Sequence, residues 1–316
     1  IVSKSKEYSL VHIYPYGSMS VGCLGEHMAE IGEMHQAGIV GIADGGFSVV
    51  NASFLANVFR YSKMFDMPVI THCEDKSLAG KGVMNEGYVA SSLGLSGIPK
   101  EAEEVIVARN IILAEGIGAK LHIATVTTKG SVQLIREAKK RGTHITCETS
   151  PHYFMLTEEA VGDYNTLAKV KPPLRTKEDI EAVLEGIMDG TIDVITSGHR
   201  PTKLTDKNKE FDNADYGISA FETAFSLSFT KLVEEGNVTL QKLTELFSSK
   251  PAQILGLHKK GEIAEGMGGD LVIVDLEEEY EINPQTFVSK AKFSPFAGKK
   301  VKAKIIGTIV GGRILI

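Results

Sequence analysis

Short apolar runs that stop abruptly at polar groups recur along this chain. Pro68-Val69-Ile70-Thr71 closes on His72-Cys73-Glu74-Asp75 and breaks at residues 76–80. Residues 39–43 close on Asp44-Gly45-Gly46, and residues 143–149 run to Ser150-Pro151-His152. Residues 120–126 carry His122 and Thr125, and residues 192–197 meet Gly198-His199-Arg200. Continuous apolar runs, unlike alternating ones, belong to strands buried on both faces. Residues 10–15 read as a further strand of this kind.

Between these runs the apolar spacing changes to that of helices. Helices are expected over 26–36, 51–65, 130–140 and 177–188. Another starts after Pro99, with Glu101, Glu103 and Glu104 in its first turn, where carboxylates favour a helix N-terminus. It should run to about residue 115. Two more are expected around 220–234 and 240–247, with a turn at 251–257 and a polar loop over 203–215. Six strand–helix units with short connections define an α/β fold, a (β/α) barrel with its polar groups at the carboxyl ends of the strands. A closed barrel needs eight strands, so two are expected to be missing, on the N-terminal side. After Gly261 the pattern turns to short β segments near 271–275, 301–306 and 308–316. The expected division is a barrel domain over 1–257 and a small C-terminal β subdomain over 258–316.

Composition narrows the function classes. The 316 residues are 43% hydrophobic, enough for a large core, and the net charge of −6 makes nucleic acid and anionic membranes poor partners. No apolar stretch approaches the roughly 20 residues of a membrane span. Cys23, Cys73 and Cys147 are far apart and read as reduced thiols of a cytoplasmic protein. The chain begins without methionine and without a secretory or transit pattern.

Several motifs together resemble the dihydroorotases of the larger, microbial type. They are His72–Asp75, the Gly82–Gly87 loop, Gly97-Ile98-Pro99, Pro172-Pro173-Leu174-Arg175, residues 251–257, residues 268–275, Ser294–Gly298 and Thr308–Arg313. The resemblance implies an amidohydrolase-type (β/α)8 barrel with a β-sandwich built from both chain ends. It also implies one or two zinc ions that interconvert dihydroorotate and N-carbamoyl-aspartate in pyrimidine synthesis. Hydantoinases and allantoinase are related. The chemistry needs an ionised water, a Lewis acid on the ring carbonyl and a carboxylate that shuttles the proton.

Against that pattern the chain departs at the chemistry. The His-x-His of the family's first strand has no counterpart. The acid that would bind metal after Asp44 is Gly45, the next metal histidine is Thr125, and the proton-shuttle aspartate is Gly198. The substrate-binding asparagine is Lys171. His72 matches a family ligand, and Asp44 is the carboxylate that a one-position slip would bring to a metal beside it. One imidazole does not hold catalytic zinc, which takes three protein ligands, so zinc is expected to bind weakly or not at all. His72, His152 and His199 then read as rim histidines, and His122 and Cys147 as packing residues. Glu74 and Glu148 have no partner visible in the sequence. Lys171, Arg175 and Arg200 add positive charge, and Lys171, Arg175 and His199 are the candidate contacts for a small anionic substrate.

The reading that follows is a dihydroorotase-like protein that is catalytically impaired or inactive in this form. Inactive homologues in this family scaffold aspartate carbamoyltransferase, which the resemblance makes a candidate partner. The alternative is an active zinc-dependent dihydroorotase, hydantoinase or allantoinase. A barrel short of two strands would also expose apolar flanks and self-associate.

Overall fold

The computed structural model describes residues 1–315. Its centre is a parallel sheet of four strands in sequence order: β1 (Val69–His72), β2 (Leu121–Ala124), β3 (Ile145–Thr149) and β4 (Val194–Ile195). Val69 pairs with Leu121, which in turn pairs with Ile145, and Thr149 pairs with Ile195, so the four carboxyl ends lie along one rim. Two further segments extend the sheet through single parallel bridges, Ile42 to Val69 and Gly17 to Ile42.

The expected first strand is displaced. Residues 10–15 form no strand and expose Leu10, Val11 and Ile13; backbone contact begins at Pro15, whose carbonyl accepts from Val40 N, and continues at Gly17, whose amide donates to Gly41 O. A Cβ on Gly17 would stand 2.6 Å from Ile39 Cδ1, so glycine permits this close approach. The helix expected over 26–36 is confined to Ile31–Gln36. The preceding residues are held as a turn by the Ser20–Met28 bridge and by bonds to Asp44 described below.

Four helices cover the sheet: α1 (Ala52–Lys63), α2 (Glu101–Ile117), α3 (Lys129–Lys140) and α4 (Lys177–Asp189). Their boundaries follow local chemistry. Asn51 and Thr128 accept amide bonds at the starts of α1 and α3, and Thr176 with Asp179 closes a capping box on α4. Gly118 and Gly190 end α2 and α4 in the left-handed conformation. The core between sheet and helices holds Val69, Leu121, Ile123 and Ile145 against Leu55, Phe59, Val107, Ile135 and Val183. Each such side chain contributes roughly 2 kcal/mol by leaving water.

After the barrel helices, β5 (Leu271–Asp275), β6 (Lys304–Val310) and β7 (Arg313–Ile314) form an antiparallel sheet. The residues between β5 and β6 turn back to the barrel side. Ile282, Phe287, Phe296 and Val301 are buried in one cluster with Tyr153, Val170 and Phe211. Packing therefore joins the C-terminal segment to the barrel across the boundary expected at 257.

The polar stretch 203–215 is anchored. It leaves the rim at Arg200 and returns at Ile218, whose amides and carbonyls bond reciprocally at 2.9 Å. Lys207, fully buried, donates to Thr166 O and Lys169 O at 3.0 and 2.9 Å. Lys169 donates back to Phe211 O and Asp212 O at 2.5 and 3.1 Å. Two ammonium groups capped by carbonyls stitch this excursion to the body of the protein.

Candidate functional site

The carboxyl ends of the strands open into a cleft of about 830 Å3. His72 enters it from β1, Thr125 from the end of β2, Ser150 and His152 from beyond β3, and Gly198, His199 and Arg200 from beyond β4. Lys171 and Tyr216 close the opposite wall, with Gly45, Gly46 and Phe47 at the mouth. The parallel register brings these groups together although they are far apart in sequence.

Of the metal candidates, Asp44 is next to the cleft but committed elsewhere. Only 2% exposed, its carboxylate accepts from Ser18 Oγ (2.9 Å), Met19 N (2.7 Å), Ser20 N (3.0 Å) and Ser20 Oγ (2.5 Å). Four donors saturate it, so the expected metal ligand is a fastener for the turn after Gly17. Its neighbour Gly45 has a left-handed φ of +59°, and nothing lies within 4 Å of where a side chain would begin.

His72 is a neutral imidazole with its pKa lowered to about 4, chiefly by burial and further by Lys171 and Arg200, against the opposing pull of Glu74. Thr125 stands where the family pattern has histidine; its φ of +61° is a strained conformation for a β-branched residue.

At Gly198 the space is already occupied. A Cβ there would stand 2.5 Å from His152 Cε1 and 2.7 Å from Ser150 Oγ, on a backbone with φ +63°. His152 is buried, and burial lowers its pKa to about 3. His199 stacks on Phe221 with ring centroids 4.0 Å apart. Its Nδ1 accepts from the amides of Ala220 and Phe221 at 3.0 and 3.4 Å, which places the proton on Nε2. Burial lowers its pKa too.

Two of the three expected anion contacts line the cleft. Lys171 does, its Nζ 2.9 Å from Glu74 Oε1 and 5.4 Å from the centre of the Tyr216 ring. His199 does as well. Arg175 does not. Only 3% exposed, it lies behind the cleft wall, donating to Thr127 Oγ1 (3.2 Å), Asn85 Oδ1 (2.8 Å) and Ile98 O (3.1 Å), with Glu103 Oε2 at 3.7 Å. It is a buried structural cation.

Both acids that the sequence leaves unpartnered have partners here. Glu74 pairs with Lys171, and Glu148 lies 3.2 Å from Nε2 of the interior His122. Sequence reasoning passed over Tyr216, Phe47 and Lys76 as cleft residues. Tyr216 follows the polar loop expected over 203–215, and the Arg200–Ile218 closure brings it to the rim.

The two lowest imidazole pKa values give a pH dependence of known sign. His72 and His152 stay neutral in the fold to about 4 and about 3, against 6.5 ordinarily. The unfolded chain takes up these protons first. Stability is therefore complete above about pH 6.5 and falls below it, by about 1.4 kcal/mol per pH unit for each histidine. Denaturant midpoints at pH 7, 6 and 5 should decline, and His152→Asn should roughly halve the slope. Equal stability at pH 7 and 5 would contradict the assignment.

A sheet of parallel strands delivering imidazoles and polar groups from their carboxyl ends into one cleft defines the barrel hydrolase class. The chain belongs to the amidohydrolase family, whose profile matches residues 25–315. Over its full length it is 49% identical to the dihydroorotase of Acetivibrio thermocellus, spanning 74% of that protein. It is 47% identical to the dihydroorotase of a Thermoanaerobacter species, covering 99% of this chain and 72% of that one. Its place in the family is thus among the dihydroorotases. The fold is also that of the L-hydantoinase from Arthrobacter aurescens, with a TM-score of 0.86 at 26% identity over 99% of this chain and 73% of that one.

Members of this family are generally metal-dependent. Among the described residues no three His, Cys, Asp or Glu side chains converge closely enough to hold an ion. Asp44 is saturated, and the cleft that His72 enters is also lined by Lys171 and Arg200. The described residues do not fit a catalytic zinc ion, which takes three protein ligands.

Proposed function

We propose that this chain is a dihydroorotase homologue of pyrimidine biosynthesis whose cleft no longer carries out metal-dependent ring hydrolysis. The observation that carries the reading is His72 standing without a second ligand. Around it are Thr125 and Gly198, Gly45 has no side chain, and the one nearby acid of its turn, Asp44, is saturated by hydrogen bonds. A water near neutral pH would have no Lewis acid to ionise it and no carboxylate at position 198 to take its proton. The fold, in contrast, is retained along the whole match to the dihydroorotases. A protein of this kind serves as a structural or binding partner, and aspartate carbamoyltransferase is the partner proposed.

The test is metal analysis of the purified chain after equilibration with zinc, together with a dihydroorotate hydrolysis assay in both directions. The expected result is substoichiometric zinc and no turnover above the uncatalysed rate. Stoichiometric zinc with turnover abolished by His72→Ala would establish the active enzyme instead.

A further inference from the structure

With no ion fitted to it, the cleft has a charge pattern of its own. Among the described residues three cations line it, Lys76, Lys171 and Arg200, against a single carboxylate, Glu74. Three histidines, His72, His152 and His199, also stand on its wall. Lys171 is partly compensated by Glu74, and Lys76 sits 5.8 Å from the centre of the Phe47 ring. Arg200 is different. Among the described residues its guanidinium has no ion pair and no hydrogen-bond acceptor, and Nη1 reaches across the mouth to within 3.9 Å of where a Cβ on Gly46 would stand. Its backbone is fixed by the reciprocal bonds to Ile218.

A guanidinium held at a cleft without a partner is a preformed fork for an oxyanion. Other donors point the same way. His199 keeps its proton on Nε2 because its Nδ1 is taken by backbone amides, and the His72 and His152 rings have no hydrogen-bond partner among the described residues. Lys171 and Arg200 line the same cleft as His72. Glycine at 45 and 46 leaves that side of the cleft open to a ligand.

We propose that this cleft is a metal-independent binding site for a small dianion, held between the guanidinium of Arg200 and the ammonium of Lys171 with His199 Nε2–H as a neutral donor. The dication of a hydrolytic centre is replaced by two side-chain cations, and the anion is bound without being cleaved. This rests on the non-hydrolytic reading above for its biological meaning, though the binding itself does not depend on it. The ligand chemistry is two negative charges on oxygen within a compact body, which either a short dicarboxylate or inorganic phosphate supplies.

Calorimetric titration of the full chain in EDTA, separately with succinate, malonate and inorganic phosphate, tests the site. One saturable site for at least one of these is expected, weakened at least tenfold in both Arg200→Gln and Lys171→Gln and unchanged in the remote Lys300→Gln. Saturation by a dicarboxylate alone or by phosphate alone upholds the site and assigns the ligand class. Saturation by none, or equal affinity in Arg200→Gln, overturns it. Arg200 is exposed, so its variant is expected to fold; a far-ultraviolet spectrum and denaturation midpoint matching the parent confirm this. A parallel dihydroorotate assay with added zinc keeps the two readings apart. Turnover there would refute the non-hydrolytic reading, while the titration alone decides the anion site.

Discussion

Replacing Arg175 with alanine is expected to cost about 3–5 kcal/mol of folding free energy, the range for breaking a buried ion pair from one side. The guanidinium and the Glu103 carboxylate are each only 2% exposed and stand 3.7 Å apart. Glu103 also accepts from the amides of Thr127 and Thr128 at 3.0 and 3.3 Å, and from the Thr127 hydroxyl. Those donors hold the carboxylate in place after Arg175 is gone, leaving a negative charge without its counter-ion. Asn85 Oδ1 and Ile98 O lose their donor as well. The measurement is the denaturant midpoint at constant m-value. Adding Glu103→Gln to Arg175→Ala should recover part of the loss, because the pair is coupled. A cost below about 1 kcal/mol would show that Arg175 is not a structural cation of this kind.

Installing the family's acid by Gly198→Asp is expected to destabilise the protein by about 2–5 kcal/mol and to leave hydrolysis absent. The left-handed backbone costs a residue with a Cβ about 1–2 kcal/mol, and forcing that Cβ against a packed wall about 1–3 kcal/mol. The wall is specific: His152 Cε1 at 2.5 Å and Ser150 Oγ at 2.7 Å. His152→Ala in the same chain should therefore restore part of the stability, with a coupling of about 1 kcal/mol or more. A Gly198→Asp variant as stable as the parent would mean that the space beside His152 is free.

The sequence shows the strand ends well because their signal is local. An apolar run followed by a polar cluster places His72, Thr125, Ser150 and His199 on one rim, and parallel pairing from Val69 to Ile195 gathers them. What it hides is who a polar group bonds to across the fold. Asp44 reads as a free acid at a rim, yet its donors lie on Ser18, Met19 and Ser20, set there by the Gly17–Ile42 bridge. Arg175 reads as an anion contact because it closes a rim motif, yet its side chain turns behind the wall toward Asn85 and Glu103. Residues 10–15 have a strand's pattern, yet the bonds to the neighbouring 39–43 segment reach back only as far as Pro15, and pattern alone does not make a strand. The motif resemblance to dihydroorotases, in contrast, was legible along nearly the whole chain, and the family matches agree with it.

The lysine stitch has a kinetic consequence. While the 201–215 excursion is seated, the Lys207 amine has no route to solvent, and a reagent that acylates amines meets it only after the segment lifts away. Each departure exposes a nucleophile that seating conceals, so a covalent mark on Lys207 records that this segment has lifted off the body of the protein.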